Sequence, residues 1–180
     1  ARDEPRVVGR RRERFPDAVR EVRHVGDELT VVVAPAAIRE ACRFLRDDPD
    51  LRYEFLSDLC SVDRLRLPEA SPRFEVVYHL TSMRNSSRLR LKVRVGEGEA
   101  VESVPGVREA ADWMEREVCD LMGIPFRDHP DLRRLFLWEG YSGWPLRKDF
   151  LQLPGHHPGL AGFPHEVPGE ELDLSPRGTV

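Results

Sequence analysis

The sequence has almost no lysine, few cysteines and no long apolar run, and each shortage closes off a class of function. Of its 28 basic side chains, only Lys92 and Lys148 are lysine. The remainder are arginines, whose planar forks suit ion pairs at interfaces, although a GC-rich coding sequence leaves the same mark. A net charge of −4 argues against a general nucleic-acid binder. Cys42, Cys60 and Cys119 stand far apart with no CxxC or CxH spacing. Neighbouring thiolates therefore supply neither a zinc knuckle nor an iron–sulfur cluster, and an odd number fits no disulfide framework. No apolar run approaches the roughly 18 residues that cross a bilayer. The opening ARDEPRVVGRRRERF has no apolar core of a secretory signal, and the expectation is a cytoplasmic protein. A Gly-rich phosphate loop, a GxSxG turn and a paired Cys/His nucleophile are missing too, so no complete active site can be read.

What is there suits one domain with an appendage, given 180 residues. Pro16 predicts a helix opening at Asp17, since proline is tolerated in a first turn. ELTVVVAP reads as a short buried strand closed by Pro35. Ala37, Ala41, Phe44 and Leu45 recur at helical spacing and predict a helix over 36–46. Three strands follow over 53–62, 73–81 and 88–95, separated by the turn formers of RLPEASP and SMRNSS. In the last of them Arg88, Arg90, Lys92 and Arg94 share one face, and this row needs anions, water or an acidic partner.

The spacing of Val107, Ala110, Ala111, Met114, Val118, Leu121 and Met122 predicts a helix over 107–122, ended by Gly123 as its left-handed cap and by Pro125. On that wheel Arg116 points away from the apolar stripe, Glu115 and Glu117 flank it, and Arg116 pairs with Asp120 four residues on. The same carboxylates fall on different faces, which argues against an acid/base cluster. Beyond residue 123 the periodicity fails, and only 130–136 reads as a brief helix. Yet the tail holds Phe126, Leu132, Phe136, Leu137, Trp138, Tyr141, Trp144, Leu146 and Phe150, and disordered tails are poor in such side chains. The expectation is burial partly on the chain's own domain and partly on another protein. His129, His156, His157 and His165 form no i, i+4 pair and have no matching carboxylate, so they predict no metal site.

At EREVCDLMGIPFRDHPDLRRL and GWPLRKDF the residues become specific. Glu115, Arg116, Glu117, Asp120, Gly123, His129, Pro130, Asp131 and Arg133, then Trp144, Pro145, Leu146, Arg147, Lys148 and Asp149, resemble the signature of the 30 kDa subunit family of respiratory complex I. In bacterial NADH:quinone oxidoreductase this is the C-type subunit. FLSDLCSVD and RFEVVYHL resemble the family's sheet segments, so the resemblance spans residues 50–150 and, more weakly, begins at 28. It implies an α+β fold, a two-layer domain with a mixed sheet packed by helices over 1–123, and a long irregular C-terminal extension over 124–180 that docks on partner subunits. It further implies a scaffold of the hydrophilic arm on the cytoplasmic side of the membrane. The implied neighbours are the 49 kDa D-type subunit, the B-type subunit with the terminal iron–sulfur cluster, and the I-type subunit as a further candidate. No cofactor is expected in this chain; flavin and iron–sulfur clusters would sit in partner subunits, and membrane contact would come only through the complex. On this view Arg147 grips a neighbouring subunit. Two alternatives stay open: the equivalent subunit of a membrane-bound hydrogenase or other-donor quinone or phenazine oxidoreductase, and, remotely, a free-standing RNA-binding module using the cationic row.

Overall fold

Five stretches of alternating or continuous apolar residues pair edge to edge, and their pairing sets everything else. The computed structural model describes residues 18–25, 28–68 and 71–150. Its strands are β1 (Val19–Val25), β2 (Glu28–Val33), β3 (Phe55–Asp63), β4 (Phe74–Ser82) and β5 (Ser87–Val95). They form one sheet in the order β1-β2-β5-β4-β3. β2 runs parallel to β5 and every other neighbour is antiparallel. Across β4 and β5, Phe74, Val76, Tyr78 and Leu80 sit opposite Val95, Val93, Leu91 and Leu89, and Leu29, Val31 and Val33 extend the row onto β2. All are buried. They pack against α1 (Ile38–Asp47), through Ile38, Ala41, Cys42 and Leu45, and against α2 (Ala111–Met122), through Ala111, Val118 and Met122. This is the expected mixed α+β arrangement with helices on the core face.

Several expectations shift. In place of the helix expected to open at Asp17, residues 19–25 are a strand. A bulge between Val19 and Glu21 pairs Val19 with Val33 and Val22 with Val31, so a spacing of three lands on one sheet face and imitates a helix. Valine's stiff side chain favours the strand. The helix predicted over 36–46 is preceded by a 3-10 turn at Pro35–Ala37 and runs from Ile38 to Asp47. The helix predicted over 107–122 begins only at Ala111. Residues before it form turns, because buried Arg108 donates to the carbonyls of Tyr53 at 2.6 Å, Glu54 at 3.1 Å and Cys42 at 3.3 Å and pins the backbone to the end of α1.

The boundary expected at residue 123 falls inside packed structure: Ile124 and Phe126 belong to the core, and β6 (Val101–Glu102) pairs in parallel with β7 (Phe126–Arg127). The brief helix expected over 130–136 is irregular chain. On the outer sheet face the cationic row is largely neutralised. Lys92 and Arg94 each reach Glu75 at 2.8 Å, Arg94 reaches Glu21 at 3.1 Å, and Arg90 pairs with Glu28. Burial pushes the Glu75 carboxyl up, but Lys92 and Arg94 hold it below its ordinary value. The tail from 151 on, with His156, His157 and His165, lies outside the described residues.

Candidate functional site

The signature residues gather around α2; Glu115, Asp120 and Arg147 are buried, five more are half-buried and seven are exposed. Glu115, expected at the edge of the stripe, is fully buried. Its carboxyl accepts from the Ser103 hydroxyl at 2.6 Å and from the Val104 N–H at 2.8 Å. Burial raises its pKa to about 7 against the pull of those two donors, so in the folded chain it holds its proton where an exposed glutamate has lost it. The His129 ring has no exposed surface, and its Nε2 lies 3.9 Å from Glu115 Oε2. His129 Nδ1 accepts the Asp131 N–H at 3.0 Å, which leaves Nε2–H to donate toward the Asp112 carbonyl at 3.2 Å. His129 thus braces a loop against α2.

Asp120 and Arg116, expected to pair with one another, take separate partners. The Asp120 Oδ2 accepts the N–H groups of Leu135, Phe136 and Leu137 at 3.0, 2.9 and 3.0 Å. Burial raises this carboxyl, but the three donors and Arg134 bring it below its usual value. Arg116 stacks on Trp113 and donates to the Arg133 carbonyl at 3.1 Å. Asp131 holds Arg133, at 2.7 Å between charged atoms, and so fixes the chain just before the Asp120 contact. Pro130 and Glu117 are exposed.

Gly123 ends α2 with φ of 69°, and a Cβ there would lie 2.3 Å from the Trp144 indole. Only glycine meets both demands without displacing the ring. Leu146 N–H then donates to the Leu121 carbonyl at 3.2 Å. The buried Arg147 donates from Nε to Met122 O at 2.8 Å and from its fork to Gly123 O at 3.4 Å and Glu97 at 2.6 Å. Its guanidinium lies between Trp144 and Phe74, 3.9 and 5.0 Å from the ring centres. Arg147, expected to grip a neighbouring subunit, instead satisfies the open carbonyl end of its own helix, where a cation is favoured. Lys148 N–H reaches Asp63 at 2.8 Å, and Asp149 meets Arg73 at 2.7 Å. Asp63 is itself held by a two-pronged Arg73 contact at 2.8 and 3.1 Å. Burial raises Asp63, yet Arg73 and the Lys148 and Leu65 N–H groups bring it down to about 2. Pro145 is half-buried between these anchors.

Residues 133–147 therefore form a strap along α2, tied from Arg116 to Gly123, with large apolar side chains left outside. Phe136 is 62% exposed, Trp113 61%, Leu146 54% and Trp144 38%. Trp138 meets Tyr141 edge to face, Tyr141 stacks on Phe150, and all three are half-buried.

A family model described as the respiratory-chain NADH dehydrogenase, 30 kDa subunit, matches residues 31–156. This chain belongs to that family. It is 46% identical over 166 residues to a C-type subunit of the NADH-quinone oxidoreductase of Rhizobium etli, covering 92% of this chain and 87% of that one. To the C-type subunit of the NADH-quinone oxidoreductase of Hyphomonas neptunium it is 52% identical over 145 residues, 80% of this chain and 69% of the relative. A solved trypsin-resistant fragment of Nqo5 superposes with a TM-score of 0.60 at 31% identity, covering 72% of this chain and 98% of the fragment.

Within the 30 kDa subunit fold, the signature thus reads first as the ties of the strap. Reasoning from the sequence missed Arg108, Asp63 and Glu75 as buried charges, because nothing local marks their distant partners. It also missed a convergence on the outer sheet face: among the described residues, Asp58, Cys60 and His79 bring one metal-ligating atom each within 4.8 Å of one another. No helix among the described residues is long and apolar enough to cross a membrane.

Proposed function

We propose that this chain is a cofactor-free structural subunit of the hydrophilic arm of proton-pumping NADH:quinone oxidoreductase. In this reading it packs beside the 49 kDa-type quinone-site subunit and the B-type subunit that carries the terminal iron–sulfur cluster, on the cytoplasmic side of the membrane. It supports electron transfer from NADH to quinone by holding its neighbours, while the flavin and clusters reside in them. The observation that carries this reading is the strap: its backbone is fixed by internal polar ties, yet its Phe136, Leu146 and Trp144, with Trp113 of α2, keep large apolar side chains exposed. Ordered apolar side chains on a fixed backbone lose little entropy on docking, which is how interface anchors gain affinity. The extension over 124–180 then docks on partner subunits, and its residues 124–150 keep their inner side on this chain.

Phe136→Ser combined with Leu146→Ser tests it. Both side chains are more than half exposed, so the melting temperature of the isolated chain should stay within about 2 °C, as for surface changes of about 0.5 kcal/mol. Recovery of intact complex should fall about tenfold or more, because each lost anchor costs about 1–2 kcal/mol. Quinone reductase activity per mole of bound flavin should stay unchanged. Full assembly of the double variant would remove the strap from the interface.

A further inference from the structure

The outer face of the sheet carries a set of donors that its charge pairs leave alone. Glu75 is taken by Lys92 and Arg94, Glu28 by Arg90, and Glu21 by Arg94. Asp58 lies on the same face, close enough to Arg90 and Lys92 for all three to act electrostatically on Cys60. The side chains of Asp58, Cys60 and His79 nevertheless make no hydrogen bond or ion pair with any described residue. A bulge between Leu56 and Asp58 creates this placement. It holds Leu56 and Leu59 on the core face and sets Asp58 directly opposite His79 on β4, with Cys60 two residues further along the same face. Bulges re-aim side chains in this way.

We propose that Asp58, Cys60 and His79 form a binding site for a single Zn²⁺ ion, held exchangeably by one carboxylate oxygen, one thiolate and one imidazole nitrogen, with the fourth position open. The donor set decides the ion. Thiolate and imidazole select a soft or borderline metal over Mg²⁺ or Ca²⁺. The geometry needs small adjustments: with edges of 4.8 Å at most, the centre of the triangle lies within about 2.8 Å of each donor. Zinc bonds of about 2.0–2.3 Å then require each side chain to move by up to roughly 0.5–0.8 Å. Asp58 is exposed and Cys60 and His79 are half-buried, so rotation is available. A hollow of about 460 Å³ lined by Asp58, His79, Phe55, Met83 and Arg88 opens beside the trio and gives an ion its way in.

Binding has a proton balance. An ordinary cysteine thiol keeps its proton at neutral pH, so Zn²⁺ displaces the Cys60 proton to the buffer as the metal–sulfur bond forms, and affinity rises with pH. Spacing along the chain conceals this site, since its single cysteine has no thiol neighbour and its histidine comes from another strand. The inference is independent of the role in assembly, since it concerns the isolated chain.

The test is titration of the purified, chelator-stripped full chain with Zn²⁺, and with Co²⁺ as a spectroscopic probe. The expected result is one ion per chain, proton release on binding, and a thiolate-to-cobalt charge-transfer band. Cys60→Ser should abolish that band. Cys60→Ser and His79→Gln should each weaken Zn²⁺ binding by about a hundredfold or more, since even groups behind the ligands contribute about 10- to 100-fold. Circular dichroism would check that each variant folds, and either folded variant suffices. Absence of saturable binding overturns the proposal. So does binding that survives both substitutions and is lost on His156→Gln with His157→Gln, which would place the ion in the tail.

Discussion

Arg147→Ala should destabilise the isolated chain, and the structure sets by how much. The guanidinium makes one short bond to the Met122 carbonyl at 2.8 Å and a long one to Gly123 at 3.4 Å. A buried bond from a charged donor contributes about 1.5–3 kcal/mol. The sandwich between Trp144 and Phe74 adds about 0.5–1 kcal/mol. The Glu97 pair adds little, because Glu97 is 62% exposed. The sum is about 3 kcal/mol. For a chain of this length that lowers the melting temperature by about 6–12 °C. Arg147→Lys keeps a cation at the helix end but loses the fork and the stacking, and should recover about 1 kcal/mol. Thermal unfolding of the full isolated chain by circular dichroism gives the shift, and tryptophan fluorescence should report Trp144 leaving its guanidinium neighbour. If both variants melt within about 2 °C of the parent while complex assembly fails, the guanidinium works on a neighbouring subunit and the intrachain account is wrong.

Two further perturbations follow from the buried carboxyls. Glu115 ionises near 4.5 when unfolded but near 7 when folded, so its stabilisation is complete below pH 4.5 and is lost as pH rises through 7, by about 3 kcal/mol. Glu115→Gln, which mimics the protonated carboxyl, should match the parent in urea unfolding at acid pH and exceed it at pH 8; identical pH slopes would mean that the carboxyl is not held neutral. Asp120→Asn removes the charge from an oxygen that accepts three N–H groups and should cost about 2 kcal/mol. Local opening of the strap should then speed trypsin cleavage after Arg133 and Arg134 several-fold by mass spectrometry, and unchanged cleavage would mean that the strap is held elsewhere.

The sequence by itself determined the second to fifth strands, both helices to within a few residues, and the place of Gly123, since these rest on alternation, on 3.6-residue spacing and on a left-handed cap, all of them local. It also determined the family, through the run from Glu115 to Asp149. Only the tertiary structure decided what those residues do. A bulge turned Val19 and Val22 from an apparent helix into a strand. Glu115 went from a helix edge to the core because Ser103 and the Val104 N–H, twelve and eleven residues away, compensate its burial. Arg147 turned inward because α2 ends with open carbonyls beside Phe74, a residue far earlier in the chain. Asp58, Cys60 and His79 converge because hydrogen-bond register brings β3 beside β4. Charges and ligands find partners at long range, and periodicity carries no record of which partner a polar group will meet.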